Sequence, residues 1–258
     1  MSNLSKNPVA IITGGSRGIG AATALLLASK GWNIAITCSS TLEDANCIIK
    51  KSEKVNNIEG IAIQADVSID EECQKTIQET VKKWGRIDAL INNAGTSKFA
   101  WDHSDLEQLD VDDFLRIYSV NLVGPYQMVK HAKPYLLKSS NPSITNISSI
   151  AGIKGIGSSV AYAASKGALN TMTISMARNL GPIRVNAVCP GFVEGEWLKA
   201  GLGDEMFNAA KENLELKVPL KAVANPDSVA QSVFSFVEIN KIVTGQLLIV
   251  DGGHHLEL

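Results

Sequence analysis

Short apolar runs alternate with longer amphipathic runs along this chain, and that alternation restricts the folds it can adopt. Several short runs are apolar at every position, as in parallel strands that are covered on both faces. Strands that alternate with helices on this scale indicate an α/β fold, a doubly wound parallel sheet with helices on both faces. The 258 residues contain no repeat, low-complexity segment or linker. We therefore expect a single domain, residues 1–258, with about seven strands.

The predicted strands are Val9–Thr13, Asn33–Thr37, Ile61–Ala65, Ala89–Asn92, Ser143–Ile147, Arg184–Val188 and Gln246–Val250. The predicted helices are Ile19–Ser29, Leu42–Val55, Asp70–Trp84, Val111–Leu137, Val160–Asn179 and Asp227–Val237. Residues 194–217, between the sixth strand and the last helix, interrupt the alternation and contain several glycines. Insertions of this length often act as lids, so we expect a mobile helical flap there.

A glycine-rich turn follows the first predicted strand and runs directly into the first helix. Glycines allow a tight turn, and a helix N-terminus offers N–H groups and a positive dipole to a pyrophosphate. The glycine spacing is wider than GxGxxG, and many glycine-rich turns are ordinary loops. Its place between a strand and a helix of a βαβ run nevertheless favours a dinucleotide site. The candidate binding residues in the turn are Gly14, Ser16, Arg17, Gly18, Ile19 and Gly20.

The end of the second strand indicates which dinucleotide is bound. An acidic residue there would bind the ribose 2′-hydroxyl of NAD and repel the 2′-phosphate of NADP. This chain has Ser39 and Ser40 at that place and no carboxylate before Glu43. Arg17 supplies a cation, although a solvated surface arginine is the alternative interpretation. NADP(H) is therefore favoured, and NAD(H) stays possible.

Tyr162 and Lys166 are four residues apart, which places them on one face of a helix. The ordinary tyrosine pKa is about 10. An ammonium about 4.5 Å away would lower that pKa by about 2–3 units, towards the range of efficient acid–base catalysis. Ser149 would then hold a carbonyl or alcohol oxygen beside the phenol. Taken alone, such a pair is most often an ordinary feature of a helix.

Four motifs in order along the chain resemble the short-chain dehydrogenase/reductase family. They are the turn ending in Arg17-Gly18-Ile19-Gly20, then Asn92-Asn93-Ala94-Gly95, then Ser149 with Tyr162-x-x-x-Lys166, and a closing Thr244-Gly245 to Gly253 segment. The resemblance extends from about Val9 to Gly253 and is greatest to single-domain members of the 3-oxoacyl-reductase kind. It implies a Rossmann domain and an oxidoreductase that uses NAD(P).

The resemblance also implies roles for individual residues. Ser149 would hold the substrate oxygen, Tyr162 would donate or accept the proton, and Lys166 would lower the tyrosine pKa and bind the nicotinamide ribose. Tyr162 is also among the implied cofactor contacts. Asn121 would position a water in a proton relay; the alternative is an exposed helix asparagine. The remaining cofactor contacts implied are Asp66 and Val67 at the adenine, Asn93, Ala94 and Gly95 at the adenosine ribose, and Pro190, Gly191 and Val193 at the carboxamide. Gly195 departs from the family, in which similar proteins often carry a threonine that touches the cofactor.

The composition excludes several other classes of function. A net charge of −2 gives no sign of a nucleic-acid or anionic-membrane partner, and no apolar run is long enough to span a bilayer. The N-terminal residues lack the pattern of a signal peptide, so we expect a cytoplasmic protein. Four scattered cysteines indicate neither a metal site nor a disulfide framework; they are Cys38, Cys47, Cys73 and Cys189.

The favoured hypothesis is an NADP(H)-dependent oxidoreductase that transfers hydride between the nicotinamide and a small-molecule carbonyl or secondary alcohol, with reduction as the expected direction. The alternatives are an NAD-dependent alcohol dehydrogenase and a nucleotide-sensing protein without turnover. The substrate pocket would be built from the loop after Ser149, residues 96–104 and the flap. The resemblance implies a homotetramer, with Val111–Leu137 and Val160–Asn179 as contact helices.

Overall fold

The computed structural model describes residues 4–40 and 42–256, so the part of the signal-peptide argument that rests on residues 1–3 lies outside it. Within those ranges, seven strands form one parallel sheet in the order β3-β2-β1-β4-β5-β6-β7. This confirms the predicted fold class. The strands are β1 Val9–Ile12, β2 Asn33–Cys38, β3 Gly60–Gln64, β4 Ala89–Asn92, β5 Ser143–Ile147, β6 Arg184–Pro190 and β7 Leu247–Val250.

Helices connect successive strands and cover both faces of the sheet. They are α1 Gly18–Ser29, α2 Leu42–Val55, α3 Asp70–Trp84, α4 Val111–Tyr118, α5 Gly124–Leu136, α6 Ala151–Lys154, α7 Val160–Asn179, α8 Glu196–Leu202, α9 Asp204–Lys217 and α10 Pro226–Phe234. Short 3₁₀ turns lie at Leu106–Gln108 and His254–Leu256, and π-helical turns at Ser119–Val123 and Ser235–Ile239. None of the helices in the described ranges has the length and hydropathy needed to cross a bilayer.

The core has two halves because successive side chains of a strand point to opposite faces. Ala10 and Ile12 of β1 belong to a cluster that includes residues of α1 and α10. Val9 and Ile11 belong to a second cluster, with residues of α3 and α5. Both sets are fully buried, which explains why β1 is apolar at every position.

The strand order reverses beside β1, which pairs with both β2 and β4. In a sheet of this kind, ligands bind outside the carboxyl ends of the strands at that switch point. The glycine-rich turn follows β1, Asn93 follows β4, Ser149 follows β5 and Gly191 follows β6. The topology therefore brings residues far apart in sequence to one edge of the sheet.

The predicted helix Val111–Leu137 is interrupted in the structure. α4 and α5 are joined by the π-helical turn Ser119–Val123, in which the Gly124 N–H donates to the Ser119 carbonyl. Pro125 has no N–H, so the ordinary helical bond to the Asn121 carbonyl cannot form. The uninterrupted helix was therefore wrong, and Pro125 was the signal for the interruption.

Residues 194–217 form two helices, α8 and α9, separated by Gly203 at φ +76°. Their helical character agrees with the predicted flap, and its mobility stays a prediction. The last predicted helix, from Asp227, begins one residue earlier at Pro226. Asn225 caps it, with its side chain accepting from the Ser228 N–H at 2.9 Å.

Candidate active site

The turn after β1 forms an open cradle of backbone at the start of α1. Gly14 and Gly18 have φ of +62° and +53°, a region that favours glycine. A Cβ on Gly20 would lie 2.4 Å from the Gly14 carbonyl oxygen, so the turn lies directly against the helix. Arg17 precedes α1 with extended backbone and no side-chain cap, which leaves the first N–H groups of the helix available to an anion. This cradle fits a pyrophosphate.

Asn93 holds the turn in place from the neighbouring strand. Its Nδ2 donates to the carbonyl oxygens of Thr13, at 2.8 Å, and Gly14, at 2.9 Å. In return, the Thr13 hydroxyl accepts from the N–H groups of Asn93 and Ala94 at 2.9 and 3.0 Å. Thr13 was missed as a site residue, although its place at the start of the turn was a signal. The predicted contact of Asn93 and Ala94 with an adenosine ribose stays a prediction.

The ends of β2 and β3 form the outer part of this edge. Ser39 and Ser40 are exposed after β2, as is Arg17 in the turn. The Asp66 carboxylate accepts from the N–H and hydroxyl of Ser68, at 2.9 and 2.7 Å. Val67 is buried against Gly124, where an added Cβ would lie 2.8 Å from its side chain. The predicted adenine contacts therefore lie on a well-ordered turn.

Ser149, Tyr162 and Lys166 come together between the end of β5 and α7. The Ser159 hydroxyl caps α7 by accepting from the Tyr162 N–H at 3.2 Å. The Ser149 side chain lies near the Tyr162 phenol, and its hydroxyl accepts from the Ala151 N–H at 3.1 Å. Lys166 is 4% exposed, and its Nζ donates to the Ile147 carbonyl at 2.8 Å. One buried cation therefore lies beside two hydroxyls.

The expected lowering of the Tyr162 pKa is not found in this structure. Burial raises the pKa of Tyr162 to about 12, against a smaller lowering by the nearby Ser149 side chain. Lys166 Nζ lies 5.7 Å from the centre of the Tyr162 ring, and its bond to Ile147 directs it to the sheet. Burial also lowers the pKa of Lys166 to about 8. The structure therefore favours a protonated phenol.

Asn121 is fully buried in the π-helical turn, so it is not an exposed helix asparagine. Its Oδ1 accepts from the Thr96 N–H at 2.8 Å, and its Nδ2 donates to the Thr96 carbonyl at 2.9 Å and to Ser165 Oγ at 3.0 Å. A Cβ on Gly95 would lie 3.5 Å from Asn121 Oδ1 and 3.7 Å from Lys166 Nζ. Gly95 therefore leaves space between these two side chains.

The segment after β6 completes the edge. The Pro190 carbonyl accepts from the Ile150 N–H at 3.0 Å, and the Gly191 N–H donates to Val250 at 3.0 Å. Val193 forms a parallel bridge with Ala224. Gly195 has φ +149°, a backbone conformation that favours glycine over threonine.

Three aromatic side chains that the sequence analysis did not single out form a row that begins at Tyr162. Trp197 of α8 has its ring centre 6.1 Å from that of Tyr162 and 5.4 Å from that of Phe99. Phe99 in turn stacks on Trp101, with 5.4 Å between ring centres. No sequence motif indicated this group; only the placing of residues 96–104 and the flap around the pocket pointed to it.

The described residues contain no group of three or more His, Cys, Asp or Glu side chains able to hold a metal ion. The site therefore consists of an anion cradle, a hydroxyl pair beside a buried lysine, and an aromatic surface. The expected catalytic residues are brought together by the fold. Arg17, in the turn after β1, is exposed, as are Ser39 and Ser40 after β2.

Comparisons with known proteins agree with this arrangement. The profile of the enoyl-(acyl carrier protein) reductase family matches residues 14–255. A ketoacyl reductase of the granaticin polyketide synthase of Streptomyces violaceoruber is 35% identical over 250 residues, 96% of each chain. The 3-oxoacyl-[acyl-carrier-protein] reductase FabG of Thermotoga maritima is 33% identical over 249 residues, 95% of this chain and 96% of the relative.

Solved structures give the same result. A short-chain dehydrogenase/reductase from Burkholderia xenovorans superposes with a TM-score of 0.89 at 39% identity, covering 98% of this chain and 100% of the other. A xylitol dehydrogenase with bound NAD⁺ superposes with a TM-score of 0.85 at 28% identity, covering 96% and 100%. The similarity therefore extends over nearly the whole chain.

Proposed function

The chain belongs to the short-chain dehydrogenase/reductase family, oxidoreductases of the alcohol–carbonyl pair that use NAD(P), and on that premise we propose that it is an NADP(H)-dependent carbonyl reductase. The observation that carries the proposal is the pair of Ser149 and Tyr162, whose side chains lie near each other with the buried Lys166 one helical turn beyond Tyr162. This pair lies at the edge of the sheet where the anion cradle opens. Reduction is the proposed direction because NADPH serves cells mainly as a reductant.

Each side chain of the site has a separate role in the proposed reaction. When bound, the nicotinamide supplies the hydride for reduction or accepts it in oxidation. The Ser149 hydroxyl donates a hydrogen bond to the carbonyl oxygen and orients it. Tyr162 donates its phenolic proton to the same oxygen, which completes the secondary alcohol. Lys166 stabilises the phenolate that remains, and the space between Lys166 and Asn121 is suited to a water that returns the proton.

The residues of the cradle suit the dinucleotide. The backbone of the turn from Gly14 to Gly20 would hold the pyrophosphate, with Ser16 and Arg17 at its outer side. Asn93, Ala94 and Gly95 would line the adenosine ribose, and Asp66 and Val67 the adenine. Lys166 would bind the nicotinamide ribose, and the segment from Pro190 to Val193 would receive the carboxamide.

The direct test of the function is oxidation of NADPH by the purified protein with a panel of ketones, diketones and 3-oxoacyl thioesters. Steady turnover of at least one carbonyl compound supports a carbonyl reductase. Binding of NADPH with no turnover on the whole panel would instead support a nucleotide-sensing protein. A higher kcat/KM with NADH than with NADPH would support an NAD-dependent dehydrogenase.

Cofactor choice gives a prediction at the end of β2. Ser39→Asp is expected to raise the KM for NADPH by about tenfold and to lower that for NADH, because a carboxylate repels a 2′-phosphate and accepts from a 2′-hydroxyl. The KM values come from initial rates with each cofactor. Ser29→Asp, the same change at an exposed position at the far end of α1, is the matched control. Equal shifts in both KM values, or none, would contradict NADP(H) selection at this strand end.

The raised pKa of Tyr162 predicts different pH dependences for carbonyl reduction and for alcohol oxidation. With a pKa of about 12, the phenol stays protonated near neutral pH, so the acid needed for reduction is available. Oxidation needs the phenolate, whose fraction rises about tenfold per pH unit below the pKa. Between about pH 5 and pH 7, below the Lys166 pKa of about 8, Lys166 keeps its charge, and there we expect log kcat/KM for oxidation to rise with a slope of about one and that for reduction to change little. Parallel profiles in the two directions would contradict this assignment of the proton donor.

A homotetramer is also part of the proposal. An apolar groove of about 590 Å³ runs between the α4–α5 segment and α7, with Leu122, Val123, Tyr126 and Met172 among its lining residues. These are the two helices that the resemblance implies as contacts. Light scattering of the purified protein is expected to give four times the mass of one chain, and a monomeric mass would reject this assembly.

A further inference from the structure

An unbroken row of aromatic rings leads away from the proposed proton donor. We call Phe99, Trp101 and Trp197 the aromatic wall. The chain has four tryptophans. Trp32 and Trp84 are core residues, 4% and 2% exposed, whereas Trp101 and Trp197 of the wall are each 40% exposed. Two large indoles in the row that begins at Tyr162 therefore keep part of their surface exposed.

Residues 97–103, which carry one side of the wall, are fixed to the loop that precedes α7. The Ala100 N–H donates to the Ser158 carbonyl at 2.7 Å, and the hydroxyls of Ser97 and Ser158 lie 2.7 Å apart. His103 Nε2 lies 3.1 Å from the Gly157 carbonyl oxygen. Tyr162 follows this loop, so the position of Phe99 and Trp101 is tied to that of the phenol.

The other side of the wall belongs to α8 of the flap. A Cβ on Gly201 would lie 2.2 Å from the Phe99 ring, so glycine is what allows the helix to lie directly on that ring. Trp101 Nε1 donates to the Gly201 carbonyl at 3.3 Å, which satisfies its polar atom and leaves its ring as an apolar surface. Trp197, one turn earlier on α8, is thereby held between Phe99 and Tyr162.

Several charged groups near the wall in sequence have partners. Lys98 pairs with Asp113 at 2.5 Å, and Glu194 pairs with Lys211 at 2.8 Å. The Asp102 carboxylate accepts from the hydroxyl and the N–H of Ser104, at 2.6 and 3.0 Å. An anionic or polyhydroxylated substrate would have to compete with these contacts. The surface nearest Tyr162 is therefore suited to an uncharged group.

We propose that the substrate of this site is a ketone with a planar, uncharged ring next to the reacting carbonyl, and that the ring packs on Trp197 and Phe99 while Ser149 and Tyr162 hold the oxygen. Aromatic rings in contact gain more than their buried area alone provides, and the gain depends on planar geometry. The inference rests on the proposed carbonyl reductase function and adds the class of substrate to it.

The experiment compares two ketones of nearly equal size, acetophenone, with a planar ring, and cyclohexyl methyl ketone, with a puckered one. Both are measured by NADPH oxidation with the full-length protein. We expect kcat/KM for acetophenone to exceed that for the cyclohexyl compound by about tenfold. A reversed or absent preference would overturn the inference, as would a higher kcat/KM for a straight-chain 3-oxoacyl thioester than for acetophenone.

Variants at Trp197 separate ring contact from general damage. Trp197→Leu keeps an apolar side chain and is expected to lower kcat/KM for acetophenone by about tenfold, with a much smaller loss for the cyclohexyl compound. Trp197→Phe restores a ring and should recover most of the preference. Ile242→Ala, at a position 98% exposed and outside the segments that build the pocket, is the control for truncation of an apolar side chain and should leave both values unchanged. Equal losses on both ketones in Trp197→Leu would overturn the role of the ring.

A binding measurement distinguishes failure of the inference from failure of the proposed function. Quenching of tryptophan fluorescence by 1-phenylethanol and by 1-cyclohexylethanol is measured with NADP⁺ present. Turnover without preference for the planar ring rejects the inference alone. Absence of any turnover rejects the proposed function. In that case, tighter binding of the phenyl alcohol would still support the aromatic wall as the ligand surface. Equal binding of the two alcohols, without turnover, would reject the function and the inference together.

Discussion

Tyr162→Phe is expected to lower kcat for carbonyl reduction by about 10³-fold, because it removes the only proton that the proposed site donates to the substrate oxygen while keeping the ring. The ring contact with Trp197 at 6.1 Å depends on the shape of the side chain and should survive the change. The measurement is NADPH oxidation with the best ketone of the panel, at saturating concentrations of both substrates.

The affinity for NADPH serves as the control for this variant. Calorimetry should give a dissociation constant within about twofold of the wild-type value, because the phenol is not part of the pyrophosphate cradle. Ser149→Ala should lower kcat by a smaller factor, since the phenolic proton donor remains. Undiminished turnover by Tyr162→Phe would reject the proposed acid, and loss of both cofactor binding and turnover would point to a damaged fold instead.

Gly20→Ala is expected to lower the affinity for NADPH by about 10- to 100-fold, because the added Cβ has no room. That atom would lie 2.4 Å from the Gly14 carbonyl oxygen and 2.5 Å from Asn93 Nδ2. The turn would have to move away from α1, and with it the backbone that holds the pyrophosphate. Calorimetric titration with NADPH measures the effect, and a melting curve without cofactor reports any loss of stability.

Gly18→Ala is the matched comparison within the same turn. A Cβ there meets no atom of the described residues within 4 Å, so the change adds only the strain of a positive φ of +53°. We expect a loss of affinity several times smaller than that of Gly20→Ala. If the two variants lose equal affinity, close packing of the turn on the helix is not what forms the cradle.

The sheet could be predicted from sequence because its central strands are buried on both faces and are therefore largely apolar. β1 and β4 show this, since all their residues are buried and their predicted bounds differ from the observed ones by at most one residue. The glycine turn was predictable for a related reason, because positive φ at Gly14 and Gly18 demands that residue type. For the strands and the glycine-rich turn, residue type alone was therefore sufficient to predict the local structure.

The protonation state of Tyr162 could not be predicted, because the four-residue spacing fixes only the distance along one helix. Burial of the phenol depends on elements far away in sequence, including Trp197 of α8. The direction of Lys166 Nζ depends on the Ile147 carbonyl at the end of β5, which only the packing of α7 on the sheet brings within 2.8 Å. The sign of the pKa shift follows from these tertiary contacts.

The aromatic wall was unpredictable for the same reason. Phe99 and Trp197 are nearly a hundred positions apart, and their contact depends on the close approach of Gly201 to the Phe99 ring. Asn121 was recognisable only through family resemblance. Its burial follows from the π-helical turn, for which Pro125 was the available signal.

That turn makes the length of the segment, and not only its composition, a requirement of the fold. The hydrogen-bonded turn of a π-helix contains one residue more than the corresponding turn of an α-helix. Deleting a single residue between Ser119 and Val123 would rotate every later position of α5 by about 100° around its axis. Met128, Val129 and Ala132, now buried, would leave the core together. This stretch should therefore tolerate changes of residue type far better than insertions or deletions.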